Sequence, residues 1–114
     1  MATSTPFLAR LERFPSVDST QRVVRDWLAD GQPEVLVAVA AEQTAGRGRD
    51  GRSWVAPAGR ALLLSVGFRP AGLAAGHAWR LGAIVSQAMI DAAEEAAGLR
   101  DGSLWLKWPN DIVV

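Results

Sequence analysis

Residues 34–68 read EVLVAVAAEQTAGRGRDGRSWVAPAGRALLLSVGF and place a loop rich in glycine and arginine between two apolar runs. The first run, Glu34–Ala41, and the second, Ala61–Phe68, are apolar nearly throughout, which predicts two buried strands. Between them, residues 42–60 gather three glycines and three arginines within Gly46–Arg52. Because loops this long in compact domains are usually functional or disordered, this loop is the first candidate for a site.

The chain before these strands predicts a strand followed by a helix. Leu8–Val17 alternates weakly and fits a first strand. Asp18-Ser19-Thr20 then supplies the side chains that favour a helix N-terminus, and Gly31 can end the helix. Four residues share one face at helical spacing: Val23, Val24, Trp27 and Leu28.

The chain after these strands predicts one long helix and a hairpin. An alanine-rich helix should start between Leu73 and His77 and end at Gly98, with the apolar stripe Trp79–Ile90 in the core. We interpret His77 as a residue of the helix start. Three segments then predict the hairpin: the strand Leu104–Trp108, the turn Pro109-Asn110-Asp111 and the return strand Ile112–Val114.

The return strand is shorter than an ordinary strand of five or six residues. We therefore expect that residues 1–114 form the N-terminal portion of one longer domain, or that another chain completes its open edge. If another chain completes the edge, it can be a second copy of this chain, which would give a homodimer.

The composition limits the classes of function. Twelve basic residues balance twelve acidic ones, so the formal net charge is zero and bulk attraction to nucleic acid or a membrane surface is not expected. The chain has no cysteine and one histidine, which leaves no thiol chemistry and no histidine-rich metal site. No apolar run is long enough to span a bilayer, and the first twenty residues lack the apolar segment of a secretory signal, so we expect a cytoplasmic protein.

The loop nearly matches two phosphate-binding patterns. Gly46–Gly51 fits G-x-G-x-x-G, and Gly46–Ser53 fits the P-loop apart from Arg52 in place of lysine. Both patterns need a helix that begins at the loop, and Pro57 and Gly59 oppose one here. From the residues alone, two interpretations stay open: an ordinary surface loop, or an anion-binding lid that combines backbone N–H groups, guanidinium groups and the plate of Trp54.

Three motifs together resemble the biotin–protein ligases (biotin–[acetyl-CoA-carboxylase] ligases). They stand in the family's order: Asp18-Ser19-Thr20 before a helix, the run Glu42–Trp54 (EQTAGRGRDGRSW) after a strand, and Lys107-Trp108-Pro109-Asn110-Asp111 at the end of another. The resemblance extends from about Leu11 to Val114, and the last two motifs are highly specific in combination.

The resemblance implies a fold and an activity. The fold would be α+β, a mixed sheet flanked by helices that is related to class II aminoacyl-tRNA synthetases, here incomplete at its C-terminus. The enzyme would use ATP and Mg²⁺ to convert biotin to biotinyl-5′-adenylate, and would transfer the biotin to a lysine of a biotin carboxyl carrier domain. No nucleic-acid or membrane partner is implied, and no metal ligand is assigned to the protein.

The resemblance also assigns residues. Arg47 and Lys107 would be catalytic, as cations at the reacting carboxylate and phosphate. The biotin site would comprise Ser19, Thr20, Gln43, Gly46, Arg47, Arg49 and Lys107. The adenylate site would comprise Arg49, Arg52, Trp54 and Asn110.

Some of these residues have structural alternatives. Ser19 can be a plain N-cap, Lys107 an ordinary lysine at a strand edge, and Trp54 a core residue. Asn110 and Asp111 can bind the adenylate or only build a turn.

The sequence departs from the family pattern at three positions. Gln21 stands where asparagine is common, Asp50 where a neutral or basic residue is common, and Ala56 where serine is common. Gln21 and Asp50 therefore receive no role from the resemblance.

Two competing hypotheses remain beside the biotin ligase. One is a lipoate or octanoyl ligase of the same superfamily. The other is a catalytically weak or inactive truncated fragment that keeps part of the fold, and for the isolated chain we expect weak or no turnover.

Overall fold

The computed structural model describes residues 8–108 and 111–114. These residues form two compact units, one that ends at Arg69 and one that comprises Pro70–Val114. The helices and strands are β1 (Arg10–Phe14), α1 (Thr20–Ala29), β2 (Leu36–Ala40), β3 (Gly46–Arg47), β4 (Ser53–Trp54), β5 (Leu63–Gly67), α2 (Ala78–Ala97), β6 (Trp105–Lys107) and β7 (Asp111–Val113).

A mixed three-stranded sheet forms the frame of the first unit. The central strand β2 pairs in parallel with β1, with Arg10 opposite Leu36, and antiparallel with β5, with Leu36 opposite Gly67. Alternate residues of β2 are fully buried, as a strand with one face on the core requires. The predicted mixed sheet with flanking helices is confirmed.

Helix α1 covers one face of this sheet. Its predicted apolar face supplies Val23, Val24 and Trp27 to a core that also contains two residues of β2. The helix lies so close to β5 that a Cβ atom at Gly67 would collide with Val24 Cγ1. Gly67 therefore sets the distance between helix and sheet, because any side chain there would push α1 away.

The end of α1 is held by a side chain from the end of the unit. Gly31 adopts a φ of +79°, so the predicted stop of the helix is confirmed. The Arg69 guanidinium donates to the carbonyl oxygens of Leu28 at 2.6 Å and Gln32 at 2.7 Å. A cation is favourable there because the C-terminal carbonyls of a helix carry partial negative charge.

The prediction that Ala61–Phe68 is a buried strand is only half right. The strand exists as β5, but Leu62 and Val66 are exposed by 69% and 45% of their surfaces. In the described sheet β5 lies at an edge, and α1 covers only the face that carries Leu63 and Gly67.

In the second unit, α2 is followed by the β6–β7 hairpin. The helix begins after His77, its N-cap, and ends at Gly98 with a φ of +67°, as predicted. The antiparallel strands β6 and β7 confirm the predicted hairpin, whose turn residues 109–110 lie outside the described residues. The buried carboxylate of Glu94 accepts the backbone N–H of Leu104 at 2.9 Å, which fixes the chain after the helix.

The prediction that the Trp79–Ile90 stripe of α2 is core is wrong. Ile90 is buried, but Trp79 and Ile84 expose 56% and 67% of their surfaces. Within its unit the described contacts of α2 include the short turn that precedes the helix, the short strand β6 and Trp108, whose ring centroid lies 6.4 Å from that of Trp79. These small elements leave most of the stripe exposed. Among the described residues, no helix has the length and apolar character needed to cross a bilayer.

Candidate functional site

The start of the glycine/arginine loop is tied to the start of α1. Gln43 forms a parallel bridge with Val17, whose carbonyl oxygen accepts the N–H of Thr44 at 2.9 Å. The N–H of Ala45 then donates to the carbonyl oxygen of Asp18 at 2.8 Å. These bonds hold two segments side by side whose bonded residues are 27 positions apart in the chain.

The middle of the loop is a small hairpin rather than a structureless segment. Strands β3 and β4 pair antiparallel, with Gly46 opposite Trp54, and the N–H of Gly48 donates to the carbonyl of Arg52 at 2.7 Å. The turn between them places Asp50 and Gly51 in the left-handed region, with φ of +58° and +74°. Aspartate and glycine tolerate that region, which explains why an aspartate can occupy position 50 of this turn.

A hydrogen-bonded network lies where α1, the loop and β5 meet. Gln43 Oε1 accepts the backbone N–H of Thr20 at 2.8 Å and its hydroxyl at 3.0 Å. The Thr20 hydroxyl also lies 2.8 Å from Ser65 Oγ. Since the Thr20 hydroxyl has one proton and gives it to Gln43, Ser65 is the donor in this pair.

This network fixes the orientation of the Gln43 amide. A backbone N–H can only donate, so the atom of Gln43 that faces Thr20 must be the oxygen. Its Nε2 atom then lies beside Gly46, where a Cβ atom would come within 2.9 Å of it. Gly46 therefore makes room for the amide group, whose Nε2 atom donates to no acceptor among residues 8–108 and 111–114.

Ser19 has a position that differs from a plain N-cap. It occupies the N-cap of α1, and its carbonyl accepts the N–H of Val23, but its hydroxyl makes no capping bond. The Gln43 side chain instead satisfies the N–H of Thr20 at the first helical position. Ser19 lines both of the cavities described next.

Two adjoining cavities open at this place. The arginine cavity, of 330 Å³, is lined by Asp18, Ser19, Gln21, Arg22, Arg25, Ala45 and Arg47. The leucine cavity, of 220 Å³, is lined by Ser19, Thr20, Gln21, Gln43, Arg47, Trp54, Leu62, Leu63, Leu64 and Ser65. Ser19, Gln21 and Arg47 line both, and together the cavities reach the size typical of small-molecule sites.

The two cavities differ in character. The leucine cavity combines leucine side chains and the indole of Trp54 with the polar atoms of the Thr20 network. The arginine cavity carries three guanidinium groups against one carboxylate, that of Asp18. The hydrogen bond from Arg22 lowers the pKa of Asp18 below its ordinary value, and the same bond raises the pKa of Arg22. Both groups are therefore ionised near neutral pH.

The structure brings five of the predicted site residues together around the leucine cavity: Ser19, Thr20, Gln43, Arg47 and Trp54. Gly46 is buried beside Gln43. The alternative that Trp54 is a core residue is wrong, because 60% of its surface is exposed.

Four predicted site residues remain: Arg49, Arg52, Lys107 and Asn110. Arg52 is exposed and lines neither cavity. The backbone of Arg49 lies in the hairpin turn, and its side chain lies outside the described part of the chain. Lys107 ends β6 in the second unit with an exposed side chain, and Asn110 lies outside the described residues. Their assigned roles stay predictions.

Several residues that line the cavities were not predicted from the sequence. Ser65 is the single polar residue within the apolar run ALLLSVGF, and that interruption is a signal that could have identified it. Arg22 and Arg25 follow the Ser-Thr motif at helical spacing, but charged residues there are also typical of a solvated helix face. Gln21, left without a role, lines both cavities.

The arrangement can bind a ligand that has a hydrogen-bonding group at one end and an anionic group at the other. For a metal ion it offers less, because no cluster of three or more carboxylate or imidazole side chains occurs within residues 8–108 and 111–114. Because Mg²⁺ at nucleotide sites is commonly held by substrate phosphates with one or two carboxylates, the Mg²⁺ that the resemblance implies stays a prediction.

Comparison with known proteins identifies the family. The sequence model of the biotin/lipoate A/B protein ligase family matches residues 13–114. The bifunctional ligase/repressor BirA of Bacillus subtilis (strain 168) is 34% identical over 98 residues, which cover 86% of this chain and 29% of that protein. The biotin–[acetyl-CoA-carboxylase] ligase of Paracoccus denitrificans is 41% identical over 87 residues, 76% of this chain and 35% of its own length. The chain thus spans about a third of the curated relatives it matches.

Solved structures agree with the sequence comparison. The biotin protein ligase of Leishmania major in complex with biotin superposes with a TM-score of 0.74 and 32% identity, over 96% of this chain and 47% of that one. The same ligase in complex with biotinyl-5-AMP gives a TM-score of 0.72 and 33% identity, over 96% and 48% of the two chains. On these matches, the chain belongs to the biotin/lipoate A/B protein ligase family.

Proposed function

We propose that this chain forms the biotin-binding part of a biotin–protein ligase. Such an enzyme joins biotin to ATP as biotinyl-5′-adenylate and passes the biotin to a lysine of a biotin carboxyl carrier domain. Family membership supports the proposal, as do the two Leishmania major complexes that match nearly the whole chain.

One observation carries the proposal: the polar network of Thr20, Gln43 and Ser65 lies at a cavity with apolar walls that adjoins a cationic cavity at Arg47. Biotin has a ureido ring that needs fixed donors and acceptors, a thioether ring and alkyl chain that need apolar walls, and a carboxylate that needs a cation. The order of these groups along biotin matches the order of the two cavities.

In this proposal the ureido ring binds in the leucine cavity. The Gln43 Nε2 group and the Ser19 hydroxyl offer hydrogen bonds, and Gln43 cannot rotate without losing two bonds to Thr20. Leu64 and Trp54 provide apolar surface for the thioether ring. Pre-ordered polar groups of this kind reduce the entropy lost on binding.

The chemical step would take place beside Arg47. The biotin carboxylate attacks the α-phosphorus of ATP, an acyl–phosphate bond forms, and the bond to pyrophosphate breaks. Because negative charge accumulates on the phosphoryl oxygens, a guanidinium held at the junction of the cavities stabilises the transition state. The family resemblance adds Lys107, Arg49 and Arg52 as further cations, and Asn110 as an adenylate ligand, to the same proposal.

In the second step the carrier lysine amine attacks the acyl carbon, and AMP leaves with the electrons of the acyl–oxygen bond while the amine releases a proton. The mixed anhydride is hydrolysable, so a loop that covers it protects it from water. We propose this role for the β3–β4 hairpin, whose Trp54 lines the leucine cavity.

Calorimetric titration of the chain with biotin tests the proposal. We expect one-to-one binding that Arg47→Ala weakens by roughly ten- to a hundredfold, since a hydrogen bond to a charged group contributes about 1.5–3 kcal/mol. The matched control is Arg13→Ala, which removes an exposed arginine of β1 that lines neither cavity. Absence of biotin binding, or equal losses in both variants, would contradict the proposal.

Lipoate separates the two ligase classes. It has a carboxylate and a sulfur ring but no ureido group, so it cannot use the Thr20–Gln43 network. We expect Gln43→Leu to weaken biotin binding strongly and to leave the weaker lipoate binding little changed. Tighter binding of lipoate than of biotin would favour a lipoate ligase.

A further inference from the structure

The arginine cavity has a charge that the binding of biotin alone does not explain. Beyond the junction residue Arg47, it is lined by Arg22 and Arg25 of α1, with Asp18 as its one carboxylate. Its volume of 330 Å³ exceeds the 220 Å³ of the leucine cavity. Three guanidinium groups around one space are suited to a ligand with several negative charges.

The guanidinium of Arg22 is held in a fixed position by two carboxylates of the same helix region. Its Nε atom donates to both carboxylate oxygens of Asp18, at 2.8 and 2.7 Å, and its Nη1 atom donates to Asp26 at 2.8 Å. Among the described residues, these bonds leave the Nη2 amino group without an acceptor. The two carboxylates thus fix the guanidinium while part of its donor edge stays available.

The positive charge of Arg25 is not offset by an ion pair with any described carboxylate. No carboxylate in the described ranges lies within ion-pair distance of its guanidinium, whereas both Asp18 and Asp26 are engaged with Arg22. The cavity therefore keeps a local excess of positive charge in a chain whose formal net charge is zero.

The geometry of phosphoryl transfer indicates what this excess binds. In an in-line displacement, the attacking and leaving oxygens lie on opposite sides of the phosphorus. If the carboxylate arrives at Arg47 from the leucine cavity, the leaving group departs on the side away from that cavity. The arginine cavity adjoins the leucine cavity at Arg47, and it has the charge that a diphosphate requires.

We propose that the arginine cavity binds the diphosphate group of the reaction, as the β- and γ-phosphates of ATP and then as pyrophosphate, with Arg25 as its main ligand from α1. This inference rests on the proposed function for its place in the reaction, while the anion site itself can be tested without biotin.

Calorimetry with inorganic pyrophosphate, ATP and AMP tests the inference. We expect Arg25→Ala to weaken binding of pyrophosphate and of ATP roughly tenfold relative to Arg13→Ala, and to weaken AMP, which lacks the diphosphate, by less than about twofold. Binding of pyrophosphate should also decrease with added salt, because the site is open to solvent.

The outcomes separate the two proposals. Equal pyrophosphate affinities in Arg25→Ala and Arg13→Ala, or no pyrophosphate binding at all, would overturn the diphosphate site even if biotin binds as proposed. Loss of affinity for AMP equal to that for ATP would overturn it as well. Pyrophosphate binding that depends on Arg25 in a chain that does not bind biotin would uphold the anion site and overturn the proposed function.

Discussion

Replacement of Gly46 by alanine tests whether the hairpin and the polar network depend on each other. A Cβ atom at Gly46 would lie 2.7 Å from the carbonyl oxygen of Trp54 and 2.9 Å from Nε2 of Gln43. Both distances are too short for a methyl group, and the first is to backbone. To relieve the first contact, strand β4 must move away from β3, and to relieve the second, the Gln43 amide must shift against its bonds to Thr20.

The expected cost follows from these contacts. Forcing an extra methyl group into a packed site costs about 1–3 kcal/mol, and displacement of Gln43 would also remove an acceptor for the Thr20 N–H. We therefore expect Gly46→Ala to lower the free energy of unfolding by about 1–3 kcal/mol. Biotin affinity should decrease as well, because the donors of Gln43 would no longer be fixed.

The same loop supplies a matched control. At Gly48 the nearest atoms to a new Cβ are in Arg52, at 3.7 and 3.8 Å, which is ordinary contact. Gly48→Ala should therefore change stability by less than about 0.5 kcal/mol. Urea denaturation followed by circular dichroism gives both free energies. A Gly46→Ala protein as stable as Gly48→Ala, with unchanged biotin affinity, would refute the packing described for the site.

Three further predictions concern the helix end, the ion pair and the second unit. Arg69→Ala removes one hydrogen bond to Leu28 in the last turn of α1 and one to Gln32, which follows the helix. It should cost about 1 kcal/mol of stability in urea denaturation, and no loss would contradict the capping role. An NMR titration should give Asp18 a pKa below its ordinary value of 3.8, with the ion pair to Arg22 intact above that pH and lost as pH falls through the lowered pKa. A pKa that stays low in Arg22→Ala would show a different cause. Lys107→Ala should weaken binding of biotinyl-5′-AMP about tenfold relative to Arg100→Ala, measured by calorimetry, and equal affinities would remove Lys107 from the proposed site.

The elements of the first unit could be predicted because their signals are local. The apolar run of Glu34–Ala41 and the one-face spacing of Val23, Val24 and Trp27 require burial wherever they occur. The helix ends at Gly31 and Gly98 could also be predicted, because glycine is the residue favoured just after a helix. In the structure both glycines adopt a positive φ.

The burial of α2 could not be predicted in the same way. The Trp79–Ile90 stripe has the pattern of a core-facing helix, but burial depends on what packs against the helix. In its unit the described partner is a hairpin of three-residue strands, and sequence periodicity contains no information about the size of that partner.

The motifs predicted which residues lie in one site, but not the hydrogen bonds that join them. Ser19, Thr20, Gln43, Arg47 and Trp54 were expected in one site and do line one cavity. The bonds that join them, such as Gln43 to the N–H of Thr20, span 23 positions and depend on the parallel bridge at Val17. Such contacts follow from tertiary structure, so the bond between Ser65 and Thr20 and the arginine cavity became evident only in the folded chain.

A crystal structure of the chain with biotinyl-5′-AMP would test the central claim most directly. The proposal predicts that the ureido ring lies in the leucine cavity within hydrogen-bond distance of Gln43. It also predicts a phosphate oxygen about 2.7–2.9 Å from the Arg47 guanidinium. A ligand bound with its ring outside the leucine cavity, or with its phosphate away from Arg47, would contradict the account.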